Sequence, residues 1–392
     1  MRRIDDDQRR ARLGVRHCLA AEARASSVVD VARDLVALHS TDPASVFLAS
    51  AARWRDADVK AIERALYDER TLVRLLGMRR TMFVVPTDVV PIVQAACARA
   101  LVPGERRKLV QLLEESGVAR NGETWLAGAE EATLRALSVS GQATAGELSK
   151  EVPVLRERMR FGEGTRWAGV QGVSTRVLFL LAAQGRIVRG RPRGSWTSSQ
   201  YRWATTEAWL PGGVGEMSPE AARAELVRRW LYAFGPGTVA DLEWWTGWSV
   251  RDVRRALASV PTVEVELDDG ARGLLLADDL DPVPRPEPWA ALLPSLDPTV
   301  MGWTGRAWYL GEHGPALFDR SGNPGPTLWW DGRIVGGWAQ RKDGEIAMRF
   351  LEDPGGEAMA ATEAAAERLR VWLGPVRVTP RFRTPLEREL SS

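Results

Sequence analysis

His39-Ser40-Thr41-Asp42 places an imidazole, two hydroxyls and a carboxylate on four consecutive residues. Such groups can hold a water, take its proton, or face a developing cation with negative charge. His39, Thr41 and Asp42 are therefore the candidate catalytic residues. The same stretch also fits a plainer pattern. Pro43 suits the first position of a helix, with Thr41 or Asp42 as its cap and His39 near the end of the helix before. Chemistry here requires the Asp42 carboxylate to point into an open channel.

A second candidate is a binding element, Arg189-Gly-Arg-Pro-Arg-Gly194. Slim Gly and Pro let a backbone enter the narrow minor groove of DNA, where Arg meets concentrated negative potential. Arg189, Arg191 and Arg193 lie in a strongly basic stretch. Residues 156–203 carry ten Arg, including Arg166 and Arg176, against Glu157 and Glu163, a local balance of +8. Residues 262–300 carry a local balance of −7, and the whole chain only +2. One basic stretch in a near-neutral protein is the electrostatic footprint expected for a polyanion. Arg79 and Arg80, at a predicted hairpin turn, join the set of DNA-binding candidates. Among the 17 Trp, Trp167 and Trp196 lie in the basic stretch and are the candidates for stacking on bases.

The elements that must position these residues are announced by a repeated phrase. Gly141-Gln-Ala-Thr144-Ala-Gly-Glu147-Leu148 is matched by Gly235-Pro-Gly-Thr238-Val-Ala-Asp241-Leu242. Thr followed three residues later by an acid is a capped helix start. In each copy a helix precedes the phrase, and a helix and a two-strand pattern follow it. That order is a winged helix, a helix-turn-helix with a β-hairpin appended. In the second unit Trp125–Ser138 and Ala145–Glu151 are the first helices. Ser174–Gln184 is the recognition helix, and Arg186–Val188 and Trp196–Trp203 are the wing strands. In the third, Ser218, Thr238 and Ser249 start the helices, and Val263–Leu267 and Gly273–Leu276 form the wing.

A divergent first unit lacks the phrase. It has helices over residues 8–25 and 28–38, another from Pro43 to about Ala52, and one opened by Asp56 or Asp58. Its hairpin is Leu72–Leu76 with Met82–Val85. Residues 289–352 read as short strands with Gly turns, clearest at Asp331-Gly332, and suggest a small β-barrel or curled sheet. Met359–Leu373 is an amphipathic helix and Val376–Val378 a last strand.

Composition narrows the function classes. The chain has 392 residues, 45% hydrophobic and 27% charged, enough for several domains. No apolar run is long enough to cross a membrane, and the charged N-terminus lacks the apolar segment of a secretory signal. The two cysteines, Cys18 and Cys97, imply no disulfide framework, so a cytoplasmic, nucleoid-associated protein is expected. Three scattered histidines give no zinc pattern, and no phosphate-cradling Gly-rich loop is present. Neither a metal nor a cofactor is expected. The expected partner is double-stranded DNA, bound by a monomer.

Four segments carry a family resemblance. They are Leu38-His39-Ser40-Thr41-Asp42-Pro43-Ala44-Ser45, Arg79–Pro86, Leu293-Pro294-Ser295-Leu296-Asp297-Pro298 and Gly322–Trp338. In content and order they resemble the AlkZ/YcaQ-type winged-helix DNA glycosylases. The resemblance implies an α+β fold of three tandem winged-helix units plus a C-terminal β-barrel-like domain, forming a C-shaped body. The expected divisions are 1–120, 121–210, 216–280 and 289–392. The implied activity is metal-free, monofunctional hydrolysis of the N-glycosidic bond of alkylated purines in duplex DNA. Relatives carry a Gln–apolar–Gln or Gln–apolar–Asp tripeptide at the helix junction. Here His39, Ser40 and Thr41 stand at those places, with Asp42 one residue later. Winged helices also serve proteins that bind DNA without chemistry, such as regulators or damage binders, and that is the alternative reading.

Overall fold

The computed structural model describes residues 1–162 and 168–392. It is a mixed α+β structure whose centre is a six-stranded sheet. The strand order is Leu38–His39, Met82–Pro86, Leu72–Leu76, Ile187–Pro192, Tyr201–Thr205, Ala143–Thr144. The two predicted hairpins therefore share one sheet. Arg74 of the first pairs with Arg189 of the second, with all neighbours antiparallel. The junction residue His39 lies on an edge strand, paired with Phe83.

Helix starts follow local chemistry closely. Ser27, Asp42, Asp58, Asn121, Ser218 and Ser249 each accept a hydrogen bond from a backbone N–H of the first turn they precede. Thr144 with Glu147, and Thr238 with Asp241, form reciprocal capping boxes. Helix ends are less legible. The first helix spans only Asp6–Arg16, because Cys18 takes a left-handed backbone conformation, and Val36 does the same shortly after the helix Val28–Asp34.

A three-stranded sheet pairs Thr262–Leu267 with Arg272–Leu276, the wing expected in the third unit. It also recruits Arg2–Ile4 in parallel, a strand not foreseen in so charged a segment. The C-terminal strands Ala290–Leu293, Thr327–Trp330, Arg333–Gln340 and Ile346–Phe350 form an antiparallel meander. Asp331 and Gly332 turn its central hairpin with positive φ, as the sequence predicts. The sheet has two open edges, and no closed barrel exists among the described residues. Residues 376–378 are not a strand; the chain ends instead on the helix Pro385–Leu390.

One apolar core runs from Leu13 to Leu390, joining the first helices, residues 222–260 and the C-terminal sheet. A second core, from Leu109 to Trp203, lies within the helices Val102–Glu115, Gly122–Ser140 and Val173–Ala183 and their strands. The helix Pro43–Ala51 is buried in the first of these cores. Arg53, just beyond its end, donates to both Asp297 oxygens at 2.9 and 2.6 Å, with both residues fully buried. Ser45 donates to the Ser295 carbonyl at 2.6 Å, and Ser295 to the Pro324 carbonyl at 2.8 Å. The Leu293–Pro298 segment thus fixes the helix that follows His39–Asp42.

Candidate active site

A cleft, partly open to solvent, lies where the first hairpin, the helix junction, residues 244–245 and the C-terminal loops meet. Its polar lining is His39, Thr41, Arg79, Thr81 and Asn323. Trp244, Trp245, Phe83 and Phe382 supply aromatic walls.

His39 is 6% exposed, its ring edge-on to Phe83 at 4.9 Å. Its Nδ1 accepts from the Thr41 N–H at 3.5 Å, which puts the proton of a neutral ring on Nε2, facing the Thr81 hydroxyl at 3.4 Å. That hydroxyl donates onward to the Met78 carbonyl. Both imidazole contacts are long, so the ring is weakly engaged. Burial, helped by the positive charge of Arg79, pushes its pKa down to about 3. His39 is therefore neutral across the physiological range. The Thr41 hydroxyl is buried and has no hydrogen-bond partner among the described residues. A buried hydroxyl left unpaired is costly, and such groups mark sites that a water or ligand completes.

Asp42 is turned elsewhere. Its Oδ1 accepts from the Ala44 N–H at 3.0 Å and its Oδ2 from the Arg381 N–H at 2.8 Å. It is 4% exposed and does not line the cleft. It borders a separate, smaller cavity with Ser45, Pro294 and Trp338. Burial raises its pKa, and the two backbone donors oppose that shift. The capping role predicted for this residue is the one the geometry gives, and the carboxylate does not point into the channel.

The hairpin tip shapes the cleft's other wall. Arg79 and Arg80 both have positive φ, 51° and 60°, an unfavourable backbone region for residues with a Cβ. The turn presents the Arg79 guanidinium over the Trp244 ring at 4.3 Å, and Arg306 lies 4.7 Å from the same ring. Gly247, itself at φ +75°, makes room for this: a Cβ there would sit 3.3 Å from the Arg79 Cα. Burial and Arg306 both lower the Arg79 pKa. Arg80 instead pairs with Glu105 at 2.9 Å, and Arg176 also lies near Glu105, at 3.7 Å.

The predicted wing loop takes another form. Arg189, Gly190 and Arg191 belong to the strand Ile187–Pro192, so the six residues are not a free tip. Arg189 is half-buried against the Tyr201 and Trp203 rings, and burial lowers its pKa to about 10. Arg191 donates to both Asp68 oxygens, at 2.9 and 3.0 Å. Arg193 is the exposed member, 3.7 Å from Glu147. Trp196 is a core residue, 6% exposed, packed on Phe47 and Trp372, and its ring is not available for stacking on a base. Arg166 and Trp167 lie outside the described residues.

The structure thus brings His39 and Thr41 together in the cleft and excludes Asp42. Sequence reasoning missed Thr81, Trp244, Asn323 and Phe382. Thr81 and Asn323 stood within recognised segments, yet nothing in their spacing showed that they face His39. Among the described residues no group of three His, Cys, Asp or Glu side chains could hold a metal ion. No helix there is long and apolar enough to cross a membrane.

A fold of mixed sheets and helices, with an aromatic cleft at a helix junction, agrees with the comparisons to known proteins. The family model described as DNA glycosylase AlkZ-like matches residues 32–372. The chain belongs to the AlkZ-like DNA glycosylase family. Its structure is similar to that of Streptomyces sahachiroi DNA glycosylase AlkZ, with a TM-score of 0.73 and 19% sequence identity. The match covers 96% of this chain and 98% of that one. No match was found among curated protein sequences.

Proposed function

We propose that the protein is a monofunctional DNA N-glycosylase that hydrolyses the bond between deoxyribose and an alkylated purine in duplex DNA. The observation that carries this reading is the unpartnered, buried Thr41 hydroxyl beside a neutral His39, at the junction where the family places its chemistry. The Thr41 hydroxyl holds a water facing the sugar, beside the neutral His39 ring. As the base departs, the sugar becomes oxocarbenium-like and the water attacks it. Among the described residues no lysine lines the cleft, so a Schiff-base lyase step has no amine there. Neutral hydroxyl, amide and imidazole groups place the water, and the step uses no metal.

The repeated helix, capped helix and hairpin support three winged-helix units over 1–120, 121–210 and 216–280, with a fourth domain over 289–392, in a C-shaped monomer around the duplex. Arg79, exposed with no carboxylate at ion-pair distance among the described residues, and Arg193, exposed with Glu147 only at 3.7 Å, are the best placed contacts to DNA. Arg80 and Arg191 are held by carboxylates at 2.9 Å, Arg176 by the Gln171 side chain at 2.9 Å, and Arg189 is half-buried, so these four contribute less. One observation favours a second reading, a DNA-binding protein without chemistry: among the described residues no carboxylate lines the cleft.

Incubation with duplex DNA carrying a single alkylated purine, scored for abasic sites, decides between them. The glycosylase leaves an abasic site. Tight binding without base release, for several adducts at excess protein, contradicts the proposed chemistry.

A further inference from the structure

One edge strand of the C-terminal sheet borders a groove separate from the cleft. Ala290–Leu293 pairs on one side only, with Thr327–Trp330. The Asp331 N–H donates to the Trp289 carbonyl at 2.9 Å, which fixes the alternation along the strand. Trp289, Ala291 and Leu293 point their main-chain groups at the neighbouring strand. Ala290 and Leu292 point theirs off the free edge, where no hydrogen bond meets them among the described residues. Ala290, Ala291 and Leu292 line the groove. One wall is the helix Gly356–Leu373, through Leu369 and Trp372. The other follows the helix Pro43–Ala51 and includes Trp54. None of its lining residues lines the cleft at His39.

The charged lining is Arg24, Arg55 and Arg368 against the single carboxylate of Asp56. None of the three arginines has a carboxylate at ion-pair distance among the described residues. Arg24 is positioned by the Ala52 carbonyl, to which its Nη1 donates at 2.6 Å. Burial pushes its pKa down to about 10, and the charged side chains that act on it, Arg368 and Arg53, share its sign.

We propose that this groove binds an extended, acidic segment of a partner protein, which adds as a further strand beside Ala290–Leu293. An open strand edge is a template for pairing with another chain, and main-chain hydrogen bonds supply the affinity of such additions. Acidic side chains of the segment complement Arg24, Arg55 and Arg368, and apolar ones contact Trp54, Leu369 and Trp372. The free edge offers donors and acceptors together, at Ala290 and Leu292, which a peptide backbone matches in both senses. A nucleic-acid phosphate only accepts, so it would leave both carbonyls unmet and would face Asp56. A second copy of the chain, pairing the same edge about a two-fold axis, would bring the two sets of arginines together, and like charges repel.

The probe is a randomised display library of peptides about eight residues long, within the usual length of a strand, selected on the full-length protein. The variant carries Arg55→Glu and Arg368→Glu, both at exposed positions, so its fold is kept. Selected peptides should be rich in Asp and Glu among apolar residues. Once synthesised, they should bind the variant at least about tenfold more weakly than the parent. N-methylation of alternate peptide amides should abolish binding in one register and leave it in the other, because only every second N–H faces the edge. The variant should bind duplex DNA as the parent does. A selection with no peptide that depends on Arg55 and Arg368 overturns the proposal. Acidic peptides that tolerate N-methylation in both registers overturn the added strand. Weakened duplex binding by the variant would assign the groove to DNA, and parental self-association lost in the variant would assign it to a second copy. Either result contradicts the proposal.

Discussion

The Asp42 carboxylate accepts a hydrogen bond from the main-chain N–H of Arg381, at 2.8 Å, across 339 positions of sequence. Its other oxygen caps the helix Pro43–Ala51. Asp42 therefore joins the first helix junction to the C-terminal tail. Asp42→Ala should lose the cap and leave the Arg381 N–H unpaired. We expect a stability loss of about 1–3 kcal/mol by denaturant unfolding. An unchanged midpoint would remove this residue from the structural account.

His39 should make the fold sensitive to acid. Its pKa falls from the usual 6.5 to about 3 on folding, so the unfolded state takes up its proton first. The stability contribution is fully present above pH 6.5 and is lost as pH falls from there toward about 3. His17, buried against Thr299 and the Ala233 carbonyl, behaves alike. Between neutral pH and pH 5 each contributes a loss of roughly 2 kcal/mol. His39→Gln should flatten the pH dependence of unfolding by one such share. The same slope in both proteins would contradict the buried neutral imidazole.

The basic strand separates its arginines by what already holds them. Arg193→Ala should lower the slope of log binding against log salt by about one unit, as for one lost phosphate contact. Arg191, tied to Asp68 at 2.9 Å and near Glu63, should change the slope far less. Equal effects of the two substitutions in a salt titration of duplex binding would count against this division.

Trp196 should behave as a core residue. Trp196→Ala removes the ring between Phe47 and Trp372 and should cost about 3–5 kcal/mol in thermal or denaturant unfolding. Trp196→Phe should recover much of that cost and bind DNA normally. Weakened DNA binding by a fully stable Trp196→Phe would restore the stacking role.

Local chemistry was the legible part of this fold. Thr144 with Glu147, Thr238 with Asp241, Ser27, Ser218 and Ser249 all cap the helices that their sequence neighbours announce, because a cap is decided within one turn. The Asp331-Gly332 turn was readable for the same reason. What failed depended on distant partners. The Arg189–Pro192 segment has the composition of a loop, yet it pairs with Tyr201–Thr205 and, at Arg189, with Arg74, 115 residues earlier. Trp196 lies in a basic stretch, yet its ring is claimed by the helices at Phe47 and Trp372. The His39–Asp42 junction was found from residue type alone. Which of its side chains faces the cleft was decided by the tail at Arg381 and by Thr81, Trp244 and Asn323, and none of these is near it in sequence.

The central claim is that chemistry resides with His39 and Thr41 and not with Asp42. Single-turnover release of an alkylated purine from duplex DNA tests it most directly, comparing Thr41→Val with Asp42→Asn. Thr41→Val keeps the side chain's shape and removes the unpaired hydroxyl. It should bind DNA and unfold as the parent does, yet release the base at least about tenfold more slowly. Asp42→Asn, which keeps an acceptor for the Ala44 N–H, should release the base at close to the parental rate at a temperature where it is folded. Loss of release in a folded Asp42→Asn protein, with full release by Thr41→Val, would contradict the account.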